Sequence, residues 1–293
     1  MNLLVYIIVY PFMWLISRMS FGLIYQFSDI MYYLIYYIFS YRKKVVKENL
    51  KLAFPKMSVE ERINIEKKYY RYLSDIFLES FKTMNISEDE MKKRYKFKNP
   101  ELLDRIYDKN QNLILIAGHY CSWEWVFILD RFTKYKINGI YKKLSNKYFD
   151  KWAKINRSKY NGDLISTKDT FREILKKSKT SELNLYGFAS DQSPRKNKAN
   201  YWGMFLNNHV PIHTGAETIA KKFNMAVVFM DVQKIKRGYY EVSFVTITEE
   251  PKKFSDFEIT ERFIELLEKQ IISKPEYYTW THKRFKHRKT LSN

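Results

Sequence analysis

The chain has a single cysteine, Cys121, in 293 residues, which excludes an internal disulfide framework and any multi-thiolate zinc site. Glycine and proline are scarce, at 8 and 7. No Pro/Gly/Ser linker, internal repeat or low-complexity tract interrupts the sequence. Acidic side chains are in deficit, 32 against 52 Lys and Arg, for a formal charge of +20. The first forty residues contain only Arg18 and Asp29 as charged groups, so the whole excess lies beyond them. A basic surface of this kind attracts polyanions: nucleic acid, anionic lipid headgroups or an acidic carrier protein. A solvated Lys-rich surface is the bland alternative. Zinc-finger, RNP-type and helix-turn-helix signatures are absent, which argues against nucleic acid.

What is abundant is apolar and aromatic. Hydrophobic residues make up 45% and aromatic residues 17% of the chain, enough for a large core, so one main domain with an appendage is expected. Tyr and Phe rings also suit surfaces that are part apolar and part wet, the membrane interface among them. Residues 3 to 17 read LLVYIIVYPFMWLIS and residues 21 to 40 read FGLIYQFSDIMYYLIYYIFS, followed by Arg42, Lys43, Lys44 and Lys47. The first segment is short of the ~20 residues a spanning helix needs. The second contains Gln26 and Asp29, which are costly in hydrocarbon. Two readings compete: one imperfect span, or a helical hairpin lying in the interface. A buried helix pair in a soluble protein is the third. No basic residue precedes the apolar run and no small-x-small site ends it, so it is expected to be retained rather than cleaved. Residues 1–41 are therefore assigned to a membrane anchor and 42–293 to the main domain, with the basic cluster placing that domain on the cytoplasmic side.

Ser58-Val59-Glu60-Glu61 fits a capping box that opens a long helix through about Met84. Beyond residue 112, short apolar runs at 113–117, 137–141, 184–190, 226–232 and 240–247 read as strands. The segments 148–160, 169–178, 215–223 and 258–272 read as helices. Strands separated by helices predict an α/β fold with a central, mostly parallel sheet flanked by helices.

The most informative stretch is Leu113 to Glu124, in which an apolar strand runs into Gly118 and His119. Strand ends of open α/β sheets are where ligands sit. A helix beginning just after His119 would point its amide N–H groups at an anionic intermediate. Glu124, five residues on, can hydrogen-bond one imidazole nitrogen and leave the other as an acceptor. This suits general-base activation of an alcohol toward an activated acyl carbon. Zinc ligation is the rival, with no third ligand at matched spacing, and a purely structural His-x4-Glu is the default for two residues alone.

Gly118-His119-x4-Glu124 after a strand resembles the catalytic motif of the glycerolipid and lysophospholipid acyltransferase superfamily. Four further segments are similar to one branch of it, the lipid A secondary acyltransferases: Tyr141-Lys-Lys-Leu-Ser-Asn146, Asp191-Gln192-Ser193-Pro194, Thr214-Gly215 to Ala220, and Tyr278-Thr-Trp280-Thr-His282-Lys-Arg284-Phe285. They follow the order and spacing of the branch over residues 110 to 285. Lys142 departs from the arginine usual there, which replaces a bidentate contact by a point charge, and Tyr201-Trp202-Gly203 stands in place of a Phe-Phe-Gly type sequence. The resemblance implies transfer of a fatty acyl chain from acyl-acyl carrier protein to a hydroxyl of a lipid A precursor, at the cytoplasmic face of the bacterial inner membrane, with no metal or cofactor. Its partners would be that acidic carrier, a membrane glycolipid and an anionic membrane surface, and no nucleic acid. It makes His119 the base and Glu124 its orienting partner. Asp191 and Gln192 would support the site or bind the acceptor, although Asp191 also reads as a helix cap before Pro194. Lys142, Asn146, Arg157 and Arg195 are candidates for phosphate or phosphopantetheine. His209, His213, His282 and His287 read as structural, and Cys121 is not expected to be a nucleophile. Another lipid acceptor, such as an aminolipid or lysophospholipid, and a non-enzymatic anionic-lipid-binding protein are the competing functions.

Overall fold

The structure, a computed structural model, describes residues 2–289. Among the described residues nine strands form: β1 (Tyr95–Phe97), β2 (Leu113–Ala117), β3 (Lys136–Tyr141), β4 (Asp163–Ser166), β5 (Asn184–Ala189), β6 (Tyr201–Phe205), β7 (Asn208–Ile212), β8 (Ala226–Lys236) and β9 (Tyr239–Thr248). Seven of them make one sheet in the order β1-β9-β8-β2-β5-β3-β4, in which β8, β2, β5, β3 and β4 run parallel. β9 turns back antiparallel to β8 through Gly238 and carries β1 on its outer edge. The expected α/β class and mostly parallel sheet are therefore present. β2, with five consecutive buried residues, lies near the middle of the sheet, where both faces are covered and an unbroken apolar run is needed.

The short edge strands β1 and β4 and the separate β6–β7 hairpin were not legible in the sequence. The hairpin turns on Leu206 and Asn207, both with positive φ (46° and 63°), the backbone of a type I′ turn without the Asn-Gly pair that usually marks it.

The described residues form ten α-helices around the sheet: α1 (Asn2–Arg18), α2 (Phe21–Tyr33), α3 (Lys43–Ala53), α4 (Val59–Lys82), α5 (Glu88–Arg94), α6 (Glu101–Tyr107), α7 (Lys147–Arg157), α8 (Thr170–Lys177), α9 (Gly215–Phe223) and α10 (Glu258–Ser273). α4 opens on the anticipated capping box, with Ser58 Oγ accepting from Glu61 N–H at 3.1 Å and Glu61 Oε2 accepting from Ser58 N–H at 2.7 Å.

Among the described residues no helix is long and apolar enough to cross a membrane, so the spanning reading of the N-terminus is not met. Instead α2 lies along α4, while α1 turns away at Met19 and Ser20 to pack on α4 and α7, around Met13, Ile24, Leu78 and Phe81. Lys82 Nζ donates to the carbonyls of Ser17 and Met19 at the bend. Arg237, in the β8–β9 turn, holds both Asp75 of α4 and Asp29 of α2, at 2.6 and 2.7 Å. The outer sides of these N-terminal segments remain uncovered and apolar: Ile8 is 56% exposed, Phe12 64%, Ile38 68% and Phe39 71%.

Candidate active site

Sheet register builds the centre of the site. β2 and β5 are parallel neighbours with Ala117 opposite Ala189, and Ser190 N–H donates to the Ala117 carbonyl at 3.1 Å. Two residues further along each chain come His119 and Asp191. Their side chains meet: His119 Nδ1 lies 2.6 Å from Asp191 Oδ1. A carboxylate only accepts, so Nδ1 carries the proton and Nε2 keeps its lone pair. That nitrogen faces the Gln192 amide at 3.4 Å. Burial alone would lower the pKa of His119, but the Asp191 carboxylate outweighs it and the net shift is upward, with Glu124 adding in the same direction. Asp191 is buried at 1% exposure. Its desolvation is more than offset by the facing imidazole, which holds the carboxyl below its usual value. Asp191 is thus no helix cap, since the next helical turn begins only at Lys196.

The loop after β2 is held by tight packing and by the C-terminus. A Cβ on Gly118 would lie 2.5 Å from Leu267 Cδ1 of α10, so glycine here lets α10 pack directly against the loop. Cys121 adopts a left-handed φ of 51°, and burial pushes its thiol well above the ordinary range, which leaves it un-ionised and poorly nucleophilic. The His119 carbonyl accepts from Thr279 Oγ1 at 2.8 Å and from Thr279 N–H at 3.2 Å. Tyr120 pairs with Tyr278. His282, pushed down to about 4 chiefly by burial, is neutral and accepts from Ser193 N–H at 3.2 Å. The C-terminal motif therefore acts as a brace across both loops.

Glu124 departs from expectation. The helix after His119 is a 3-10 helix that starts only at Trp123 and runs to Arg131, so its N-terminus does not address the imidazole. In it, Glu124 points to Arg157 at the end of α7, accepting from Nε at 2.6 Å and from Nη2 at 2.8 Å. The guanidinium takes both carboxylate oxygens in a fork that five residues of sequence spacing could not foretell. Arg157 also lies over the Trp123 ring, whose edge meets the His119 ring with centroids 5.1 Å apart.

Beside this polar cluster opens a cleft of about 690 Å³ including its mouth. Gly118, Trp123 and Arg157 stand among its walls, together with Leu115, Phe127, Leu164, Leu185 and Met230. It is apolar apart from Arg157, and suits a hydrocarbon chain whose polar end rests beside His119.

The sequence model of the bacterial lipid A biosynthesis acyltransferase family matches residues 2–287, nearly the whole chain. The chain belongs to that family. Like its members it is an acyltransferase. Among similar proteins are the lipid A biosynthesis palmitoleoyltransferase of Escherichia coli, 21% identical over 84% of this chain and 79% of the relative. The lauroyltransferase of the same organism is 23% identical over 94% and 89%, and a lipid A biosynthesis acyltransferase of Haemophilus influenzae 24% identical over 84% and 78%.

The family's other expected binding residues divide. Arg157 and Gln192 adjoin the His119 centre. Lys142, just after β3, and Arg195 are exposed. Asn146 caps α7, its Oδ1 accepting from Tyr148 N–H at 3.0 Å while its Nδ2 donates to the Asn2 carbonyl at 3.0 Å, so a local structural role occupies it. Sequence reading missed the bracing Thr279 and the glycines of the cleft. It also gave the partnership with His119 to Glu124 instead of Asp191, which the strand order β2-β5 would have revealed.

Proposed function

We propose that the protein transfers a fatty acyl chain from acyl-acyl carrier protein to a hydroxyl of a lipid A precursor, with His119 as general base. The observation that carries this reading is the His119–Asp191 pair beside Gly118 and Trp123, which line an apolar cleft. The acyl chain lies in the cleft with its thioester carbonyl at the rim. His119 Nε2 removes the proton of the acceptor hydroxyl as that oxygen attacks the carbonyl carbon. Asp191 holds the ring and stabilises the imidazolium. The tetrahedral oxyanion collapses, the C–S bond breaks, and the imidazolium returns the proton to the leaving thiolate. Arg157, fixed by Glu124, presents its remaining N–H groups to the developing oxyanion, which gives Glu124 an indirect role in place of direct contact with the base.

The positive charge of +20 supports an acidic carrier as donor and a phosphorylated acceptor. The uncovered apolar side chains of the N-terminal helices, with Arg42, Lys43 and Lys44 following them, support attachment of residues 1–41 to the cytoplasmic face of the inner membrane by lying in the interface. The same reading makes 42–293 the acyltransferase domain.

The test is transfer from a defined acyl-acyl carrier protein to a tetra-acylated lipid A precursor, by wild type and by folded His119→Ala and Glu124→Ala. Transfer with loss of ~100-fold or more in the His119 variant supports base catalysis. Transfer to lysophospholipid or aminolipid alone would move the acceptor within the same chemistry. No transfer to any lipid, or variants as active as wild type, would overturn the proposal.

A further inference from the structure

We infer that Gly187 sets the length of acyl chain that the cleft accepts, an inference that rests on the reading of the cleft as the acyl site. In parallel strands alternate residues share a face, and the register stacks the cleft wall in rows. The row nearest His119 holds Ala117 and Ala189. The next holds Leu115, Gly187, Gly139 and Leu164 side by side across β2, β5, β3 and β4. The row beneath holds Leu113, Leu185 and Ile137. The two glycines thus open the middle of the wall between Leu115 and Leu164, and branched residues close the row beneath.

The two glycines of the middle row are not equivalent. A Cβ on Gly139 would lie 2.9 Å from Phe127 Cε1 and 3.0 Å from Leu164 Cδ2, so neighbouring side chains already use that space. A Cβ on Gly187 would meet only the Asn138 carbonyl, at 4.0 Å. The space left by the missing side chain at Gly187 belongs to the cleft. With a rise of ~3.3 Å per residue, Gly187 lies ~13 Å below the level of Asp191 and His119. A chain whose end reaches the Leu185 and Ile137 row has to pass over it. Glycine inside a strand weakens the strand, and at Gly187 the depth of the cleft depends on that weakness.

A side chain here projects into the cleft without striking backbone, so the fold tolerates it and the bound chain meets it. The experiment uses the full chain with a competing mixture of acyl carrier protein thioesters of graded length, products being read by mass spectrometry. Wild type is compared with Gly187→Ala, Gly187→Val and Phe127→Leu. The preferred chain shortens from wild type to Ala to Val, each step disfavouring the longest accepted donor by ~10-fold or more against the next shorter one. Phe127→Leu, which thins the ring over Gly139, lengthens the preferred chain. Should Gly187→Val fail to fold, the other two variants carry the test. Binding of free fatty acids of the same lengths, measured calorimetrically, needs no turnover. If wild type transfers no acyl group the proposed function fails, while a binding preference that shortens at Gly187→Ala still upholds the length role. An unchanged length preference in folded variants, in transfer or in binding, overturns it.

Discussion

His119 Nδ1 and Asp191 Oδ1 stand 2.6 Å apart, two residues beyond the paired ends of adjacent parallel strands, and this contact governs how the site titrates. Burial depresses the imidazole pKa, Asp191 raises it, and the balance lies above the ordinary 6.5. A general base must be neutral, so kcat/KM rises with pH through that elevated pKa and then levels. In Asp191→Asn the carboxylate is gone and burial prevails. The acidic limb moves to lower pH while the plateau falls, by ~100-fold on the usual scale of base catalysis. A pH–rate profile with an unmoved limb would remove Asp191 as the partner of the base.

Glu124 and Arg157 form a two-point ion pair with each side chain 19% exposed. Residues that act as a unit lose their joint effect at the first substitution. Glu124→Ala, Arg157→Ala and the double variant therefore fall to similar kcat/KM, the double lying within about threefold of the worse single. Effects that multiply would mean that the two side chains act independently, Glu124 in some role other than fixing Arg157.

Much of this was readable in the sequence because local signals and tertiary demands agreed. The apolar run of β2 is buried on both faces, the capping box at Ser58 forms, and Gly118-His119 falls at a strand end. What could not be read depends on strand order. Nothing between Gly118 and Glu124 says that β5 inserts beside β2, and it is this insertion that brings Asp191, seventy-two residues away, to the imidazole. Arg157 arrives in the same way, from the last turn of α7. The N-terminal segments were legible as helices, but their hydropathy did not convey that α4 would cover one face and leave the other bare. Short edge strands such as β4 carry too few residues for a period-two pattern to register.

Glu79 of α4 is fully buried, accepting from Tyr25 Oη at 3.0 Å and Tyr240 Oη at 2.8 Å. Burial, with the Asp75 carboxylate second, raises its pKa to about 7. Because the folded value exceeds the unfolded one, the stability tied to its protonated form is fully present at low pH. It is lost as pH rises through about 7. Glu79→Gln, permanently neutral, lacks that slope. Relative to it, wild type loses up to ~3 kcal/mol between about pH 5 and about pH 8. Denaturant unfolding across this range measures the difference, and parallel pH dependences in the two proteins would show that Glu79 titrates normally.

The bare faces of the N-terminal helices make a separate prediction about surfaces. Ile8 and Phe12 of α1 and Phe39 beyond α2 are each more than half exposed, at 56%, 64% and 71%, and a monomer in water rarely leaves so many large apolar groups bare. Lying in a bilayer interface, each would contribute ~1 kcal/mol of apolar burial, a fraction of the full value because part of each side chain is already covered. Replacing all three by Ser therefore weakens partitioning onto anionic phospholipid vesicles by ~100-fold. Added salt weakens the wild type further through Arg42, Lys43 and Lys44. Vesicle co-sedimentation of the full chain at two ionic strengths separates the contributions. Partitioning that falls with salt but not with the triple substitution would mean that charge alone holds the protein to the membrane, whereas no partitioning by wild type would return α1 and α2 to the role of a structural appendage on α4 and α7.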